Sequence, residues 1–232
     1  MSSRMSWIAG SAVLAVVLGL YWGSSNTALA EKAVVIVAPA LDNPRTAGPL
    51  QTAVLAGGCF WGVQAVFQHV QGVRKVLSGY AGGTKANAEY EIVSTGKTGH
   101  AESVQITFDP KEVSYGQILQ IYFSVAHDPT QLNRQTPDVG PQYRSNIFFT
   151  DEMQKKIAEA YIAQLNKSKV FGGSIVTRVD ALKAFYPAED YHQDFLIRNP
   201  QNPYIQRYDQ PKLQNLKTVF PAAYRAQPVS AR

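Results

Sequence analysis

The sequence predicts an α+β protein: a two-layer α/β sandwich, a ferredoxin-like plait with a mixed sheet, followed by a long irregular C-terminal tail. Two observations lead there. Strand-like and helix-like periods interleave between residues 52 and 200 without an internal repeat, the pattern of a sheet covered by helices. The 232 residues are 45% hydrophobic and 11% aromatic, enough to bury one sizeable core, so a single folded domain is expected.

The first segment reads as an address. Arg4 is the sole charged residue before Glu31, an apolar run covers 7–22 with Gly10, Ser11 and Gly19 interrupting it, and Ala28-Leu29-Ala30 closes it. A basic start, an apolar middle and a small-x-small end match a secretory signal peptide over 1–30, cut after Ala30, and imply an exported, periplasmic protein. An uncleaved membrane anchor is the alternative, although the run is shorter than the about 20 residues that span a hydrocarbon core. Pro39, Asn43-Pro44 and Gly48-Pro49 make 31–51 an extended lead-in, with one short apolar stretch at 34–37. The folded domain is expected over 52–200.

A strand over 53–56 runs into Gly57-Gly58-Cys59, after which Val63, Val66, Phe67 and Val70 recur at helical spacing. Cys59 therefore sits where a strand turns into a helix. Residues 73–80 read as a strand ending at Gly82-Gly83. Val104, Ile106 and Phe108 alternate with Ser103, Gln105 and Thr107, a half-buried strand stopped by Asp109-Pro110, and Glu102 has the parity of its buried set. Ser114 can cap a helix whose Tyr115, Ile118, Leu119, Tyr122 and Phe123 form one apolar stripe ending before Asp128-Pro129. A loop over 130–141 leads to a strand over 142–149, expected to be central, in which Tyr143 shares parity with Ile147 and Phe149. Thr150 reads as the cap of a third helix over 151–167. A strand over 174–182 and a short helix through Ile197 complete the domain, and 201–232 reads as irregular.

The formal charge is +5 from 22 basic and 17 acidic residues with no run of like charges, so no nucleic-acid partner is expected. Cys59 is the single cysteine, which excludes a disulfide framework within the chain and any metal centre that needs two thiolates. His69, His100, His127 and His192 show no spacing that would place two on one helix face, so no metal is expected. His127-Asp128-Pro129 reads as a helix stop. A thiol at a helix entrance lies near unpaired N–H groups and the positive end of the dipole, both of which favour thiolate. Phe60 and Trp61 beside it make an apolar recess, and the paired glycines let a ligand approach the backbone.

Gly58-Cys59-Phe60-Trp61-Gly62, Ser78-Gly79-Tyr80-Ala81-Gly82-Gly83, Thr98-Gly99-His100-Ala101-Glu102, His127-Asp128-Pro129 and Asp138-Val139-Gly140-Pro141-Gln142-Tyr143-Arg144-Ser145 together resemble the A-type peptide methionine sulfoxide reductases, in order and in spacing. The resemblance covers roughly 52–200. It implies reduction of the S epimer of methionine sulfoxide, free or in proteins, and hence repair of oxidised proteins. It implies that Cys59 is the nucleophile and Glu102 the proton donor, that Tyr90 and Tyr143 bond the substrate oxygen, that Phe60 and Trp61 hold the S-methyl group, and that Asp138 helps orient the site. No cofactor is implied.

The chemistry agrees with those roles. A sulfoxide is a poor electrophile while its oxygen bears negative charge, so attack of the Cys59 thiolate at sulfur needs a proton or strong hydrogen bonds delivered to that oxygen. Glu102, on the buried side of its strand, would be desolvated and kept protonated. Attack leaves a sulfenic acid on Cys59, and regeneration requires a second thiol. Many relatives carry resolving cysteines in a C-terminal tail, whereas residues 202–232 here contain none. The reductant must then be external, a thioredoxin-like protein or a small thiol. A monomer is expected, since no unassigned apolar helix or sheet edge stands out. Two other classes of function remain open at this point: a cysteine hydrolase or acyltransferase pairing Cys59 with His100, His127 or His192, and an exported protein that binds methionine-like side chains without chemistry.

Overall fold

Residues 53–56 are apolar on both strand faces, so this segment belongs inside a sheet. The computed structural model describes residues 32–231 and places it there; the leader read over 1–30 lies outside the described residues. The strands are β1 (Gln51–Gly57), β2 (Val73–Ala81), β3 (Ala101–Phe108), β4 (Arg134–Gln135), β5 (Asp138–Val139), β6 (Ser145–Phe149), β7 (Arg178–Ala181) and β8 (Phe185–Pro187). Six form a sheet in the order β7-β6-β1-β3-β2-β8, with β4 and β5 a separate hairpin. The β6–β7 pairing is parallel and the rest of the sheet antiparallel, so the sheet is mixed as expected.

The helices are α1 (Phe60–Gln68), α2 (Tyr90–Val93), α3 (Tyr115–Ile121), α4 (Glu152–Ser168), α5 (Phe195–Arg198) and α6 (Gln210–Val219). Alternation along the central strands sorts the core. Ala53, Leu55, Val104, Ile106 and Phe108 join the large cluster with Val63, Val66 and Phe67 of α1, while Val54, Ala56 and Phe148 pack in a smaller one on the opposite face. Antiparallel register pairs Leu55 with Val104. Continued by two residues, it brings the end of β1, and Cys59 just beyond, beside Glu102.

Several boundaries differ from the sequence reading, each for a local reason. Pro141 opens a 3-10 turn, Pro141–Tyr143, so the strand expected from 142 begins at Ser145 and Tyr143 leaves it. That strand lies one place in from the edge, and β1 and β3 take the centre. Asp151, not Thr150, caps α4, its carboxylate accepting from Gln154 N–H at 2.9 Å. Ser114 caps α3 as read, with Gln117 closing a capping box. Beyond α3 a π turn, Tyr122–Ala126, carries the stripe to His127, whose Nδ1 donates to Tyr122 O at 3.0 Å.

The two ends depart most from the reading. The lead-in is extended but bound: Val34 N–H donates to Ser124 O, Tyr161 Oη to Val37 O, and Ile36 is buried. The tail beyond 201 is not irregular throughout. A π turn, Ile205–Asp209, runs into α6, whose Leu213 and Leu216 pack with Ile205 in the main core. Pro211 stands in the first turn, where its missing N–H costs nothing. The sequence hides this helix because its apolar residues are few and that proline reads as a breaker.

Candidate active site

The site begins with backbone geometry. Gly58 has φ +86°, and a Cβ there would strike the Gln135 side chain, so a glycine is required immediately before the thiol. Cys59 follows as the N-cap of α1. Phe60 N–H, one of the unpaired donors of that helix end, gives its hydrogen bond to Glu102 Oε2 at 3.0 Å. The carboxyl of β3 is thus fixed against the first turn of α1, and both side chains are buried, Cys59 at 8% and Glu102 at 2% exposure.

Around them lies a cavity of about 190 Å³ lined by Cys59, Phe60, Trp61, Tyr90, Glu102, Asp138, Tyr143 and Tyr204. All seven residues singled out in the sequence meet there, although they come from β1–α1, α2, β3, β5 and the 3-10 turn after it. Trp61 is locked on three sides. Its ring stacks on Phe195 with centroids 3.7 Å apart, meets Tyr204 edge-on, and its Nε1 donates to His192 Nδ1 at 3.1 Å. Tyr90 meets His192 at a tilt of 49° with centroids 4.4 Å apart, and its backbone N–H donates to Glu189 Oε1 at 2.9 Å. Tyr80, behind Phe60, donates to Glu189 Oε2.

Tyr204 is the member the sequence reading missed. It lies in the segment read as irregular, and its Oη donates to Asp138 Oδ2 at 2.5 Å. This bond holds the acidic side chain of the hairpin at the cavity wall. A tyrosine two residues after Asn202, in a chain stretch with no visible period, gave no signal on its own.

Burial dominates the electrostatics. Desolvation pushes the Glu102 carboxyl up to about 8 despite the Phe60 N–H, with Asp138 and Asp209 adding to the rise. Glu102 is therefore protonated near neutral pH. Burial also raises Asp138, against Tyr204 and Lys212. Burial raises Tyr90 to about 12 and pushes Tyr143 up as well, so both hydroxyls stay available as donors. Cys59 corrects an expectation. The helix entrance was expected to lower its pKa, but burial followed by Glu102, Asp209 and Asp138 pushes the thiol well up, and the Trp61 backbone N–H opposes this only in part. At rest the sulfur is a thiol.

The histidines are committed elsewhere. His100 accepts from Gly83 N–H and bonds Thr84 O through Nε2, His127 serves the π turn, and His192 accepts from Trp61. None lines the cavity, which leaves a hydrolase reading without its base. Among the described residues no group of three His, Cys, Asp or Glu side chains is arranged to hold a metal ion. What the arrangement can do is press a small sulfur compound between Phe60, Trp61 and the thiol while a protonated carboxyl and two phenols face any oxygen it carries.

The model of the peptide methionine sulfoxide reductase family matches residues 51–223. A peptide methionine sulfoxide reductase MsrA 2 of Mesorhizobium japonicum is 62% identical over 179 residues, 77% of this chain and 92% of that protein. A protein of the same name from Synechocystis is 53% identical over 196 residues, 83% of this chain and 92% of its own length. Among solved structures, Mxr1 from Saccharomyces cerevisiae in reduced form is similar with a TM-score of 0.59 and 32% identity, over 68% of this chain and 91% of that one. Methionine sulfoxide reductase A of Corynebacterium diphtheriae gives 0.58 and 31%, over 76% and 91%.

Proposed function

The chain belongs to the A-type peptide methionine sulfoxide reductases, and from that membership we propose how its own residues reduce the S epimer of methionine sulfoxide. The observation that carries the reading is the meeting of Cys59, Glu102, Tyr90, Tyr143 and Asp138 on one small cavity with two aromatic walls. Phe60 and Trp61 receive the S-methyl group. The hydroxyls of Tyr90 and Tyr143 and the carboxyl of Glu102 bond the sulfoxide oxygen. Asp138, held by Tyr204, orients the rim.

Because the resting sulfur is a neutral thiol, the substrate has to create the nucleophile. As Glu102 gives its proton to the sulfoxide oxygen, the substrate sulfur becomes electron-poor and the sulfur of Cys59 bonds to it. The thiol proton passes to the carboxylate just vacated. The hydroxyl then moves to Cys59, and the S–O bond to the substrate breaks. Thiol plus sulfoxide has become sulfenic acid plus thioether, with every proton accounted for. Phe60 N–H steadies the carboxylate while it is charged.

An external thiol then displaces water from the sulfenic acid to form a mixed disulfide, and a second thiol releases Cys59 as its thiol and leaves as a disulfide. A thioredoxin-like protein or a small thiol fits this role, since the chain holds no second cysteine. The basic-apolar-small pattern of residues 1–30 supports a periplasmic protein cut after Ala30, and a sequence without an unassigned apolar helix or sheet edge supports a monomer. Mass measurement of the exported protein should place its first residue at Glu31, and an intact N-terminus in the membrane fraction would favour the anchor instead.

The test of the chemistry is sulfoxide turnover with dithiothreitol as sole reductant. Wild type should turn over, Cys59→Ser not at all, and Glu102→Gln at a rate lower by about 10²-fold or more. Equal rates for wild type and Cys59→Ser would remove the reading.

A further inference from the structure

Asp209 is fully buried at the start of α6, yet neither carboxylate oxygen meets a hydrogen-bond donor at bonding geometry. A buried carboxylate answered by one long ion pair is costly, and such groups persist where they serve something. Its nearest cation is Lys212, itself almost fully buried, with Nζ 3.5 Å from Oδ1. The carboxylate is aimed at the first turn of α1: a Cβ on Gly62 would collide with Oδ1, and only a glycine there lets the acid approach. Five residues before Asp209 on the same segment, Tyr204 grips Asp138 at the cavity. The C-terminal segment thus delivers a tyrosine to the cavity wall and a buried acid behind the turn that carries the thiol.

We propose that Asp209, held by Lys212, is a positioning residue for the reaction: its charge behind the first turn of α1 keeps Glu102 proton-bearing and Cys59 a thiol until substrate arrives. This rests on the reading of Cys59 and Glu102 as the reacting pair. The groups that share its field are Cys59 at the α1 entrance, Glu102 on β3, Asp138 on β5, Tyr204 and Lys212 on its own segment, and His127 across from Lys212. Asp209 raises Glu102, Cys59 and Tyr204 alike, while Lys212 lowers Asp209 and Asp138. Burial lifts Asp209 itself to about 6, so it is charged at neutral pH and above. It acts on the two reacting groups in the same sense, holding the proton on the carboxyl and on the sulfur.

The sign follows. The reacting state carries both protons, so kcat/KM should fall as pH rises through about 8, where Glu102 ionises. In Asp209→Asn that fall should move to lower pH by about 0.5–1 unit, while alkylation of Cys59 by iodoacetamide near neutral pH speeds up by about threefold or more. Lost activity alone, the mark of a purely structural role, would not couple an earlier alkaline limb to faster alkylation of the sulfur. Should Asp209→Asn fail to fold, Asp209→Asn with Lys212→Met replaces the buried ion pair by a neutral one and should move both readouts the same way. An unchanged pH limb and unchanged alkylation in whichever variant folds overturns the inference. Turnover by wild type that survives Cys59→Ser would instead sink the reading beneath it, so the two failures are distinguishable.

Discussion

Glu102 is held in a place that favours chemistry over stability. Its carboxyl titrates at about 8 in the folded chain against an ordinary 4.5, because burial disfavours the charge. A carboxyl raised in this way weakens the fold as pH climbs: the unfolded chain releases the proton first, so the stability present below pH 4.5 is lost progressively up to about 8. Glu102→Gln removes that loss. It should therefore raise the Tm relative to wild type at pH 8–9, by an amount corresponding to about 2–4 kcal/mol, and leave a smaller difference at pH 5, while turnover collapses. Thermal melts at the two pH values check this, and an equal difference at both would mean that Glu102 carries no such strain. Cys59, Phe60, Trp61 and Glu102 were legible from local pattern: a glycine pair, flanking aromatics, strand parity. The raised thiol was not, because it depends first on burial by the folded chain and then on three acids brought from distant stretches of it.

Among the elements, β1 and β3 could be read from alternation and α3 from its stripe and cap, since each is long enough to show a period. α6 could not. Gln210–Val219 is mostly polar, and only its contacts with α1 and with the Tyr122–Ala126 and Ile205–Asp209 turns give Leu213 and Leu216 a buried side. Leu216 is fully buried, so Leu216→Ala should cost about 2–4 kcal/mol. Because Asp209 stands at the N-cap of α6 and Tyr204 just before the Ile205–Asp209 turn, the same change should loosen Asp138 and weaken turnover measured well below the melting temperature. Denaturant unfolding together with steady-state kinetics checks both effects. A stability loss with unaltered kinetics would show that α6 only fastens the fold. The displaced start of β6 teaches the same lesson in reverse: parity put Tyr143 on a strand, but Gly140-Pro141 turned the chain into a 3-10 turn that points the phenol into the cavity region instead.

In the molecule as a whole the ends were the least legible parts, because short extended or polar segments gain their order from neighbours rather than from their own period. The lead-in lies across α3, the turn after it and α4, with Val34 on Ser124, Ile36 on Gln120 and Val37 on Tyr161. The far end closes over α1, with Gln71 N–H on Ala223 O, Arg225 N–H on His69 O, Val229 N–H on Gln68 O and Ala231 N–H on Asp194 Oδ1. Such a fastened cover is no swinging arm. Electrons cannot be ferried from the oxidised sulfur to the surface by a travelling stretch of the chain, so each incoming donor must itself reach a nearly buried sulfur in a small cavity. Slender reductants, or a thiol borne on a protruding loop, are thereby selected over blunt ones.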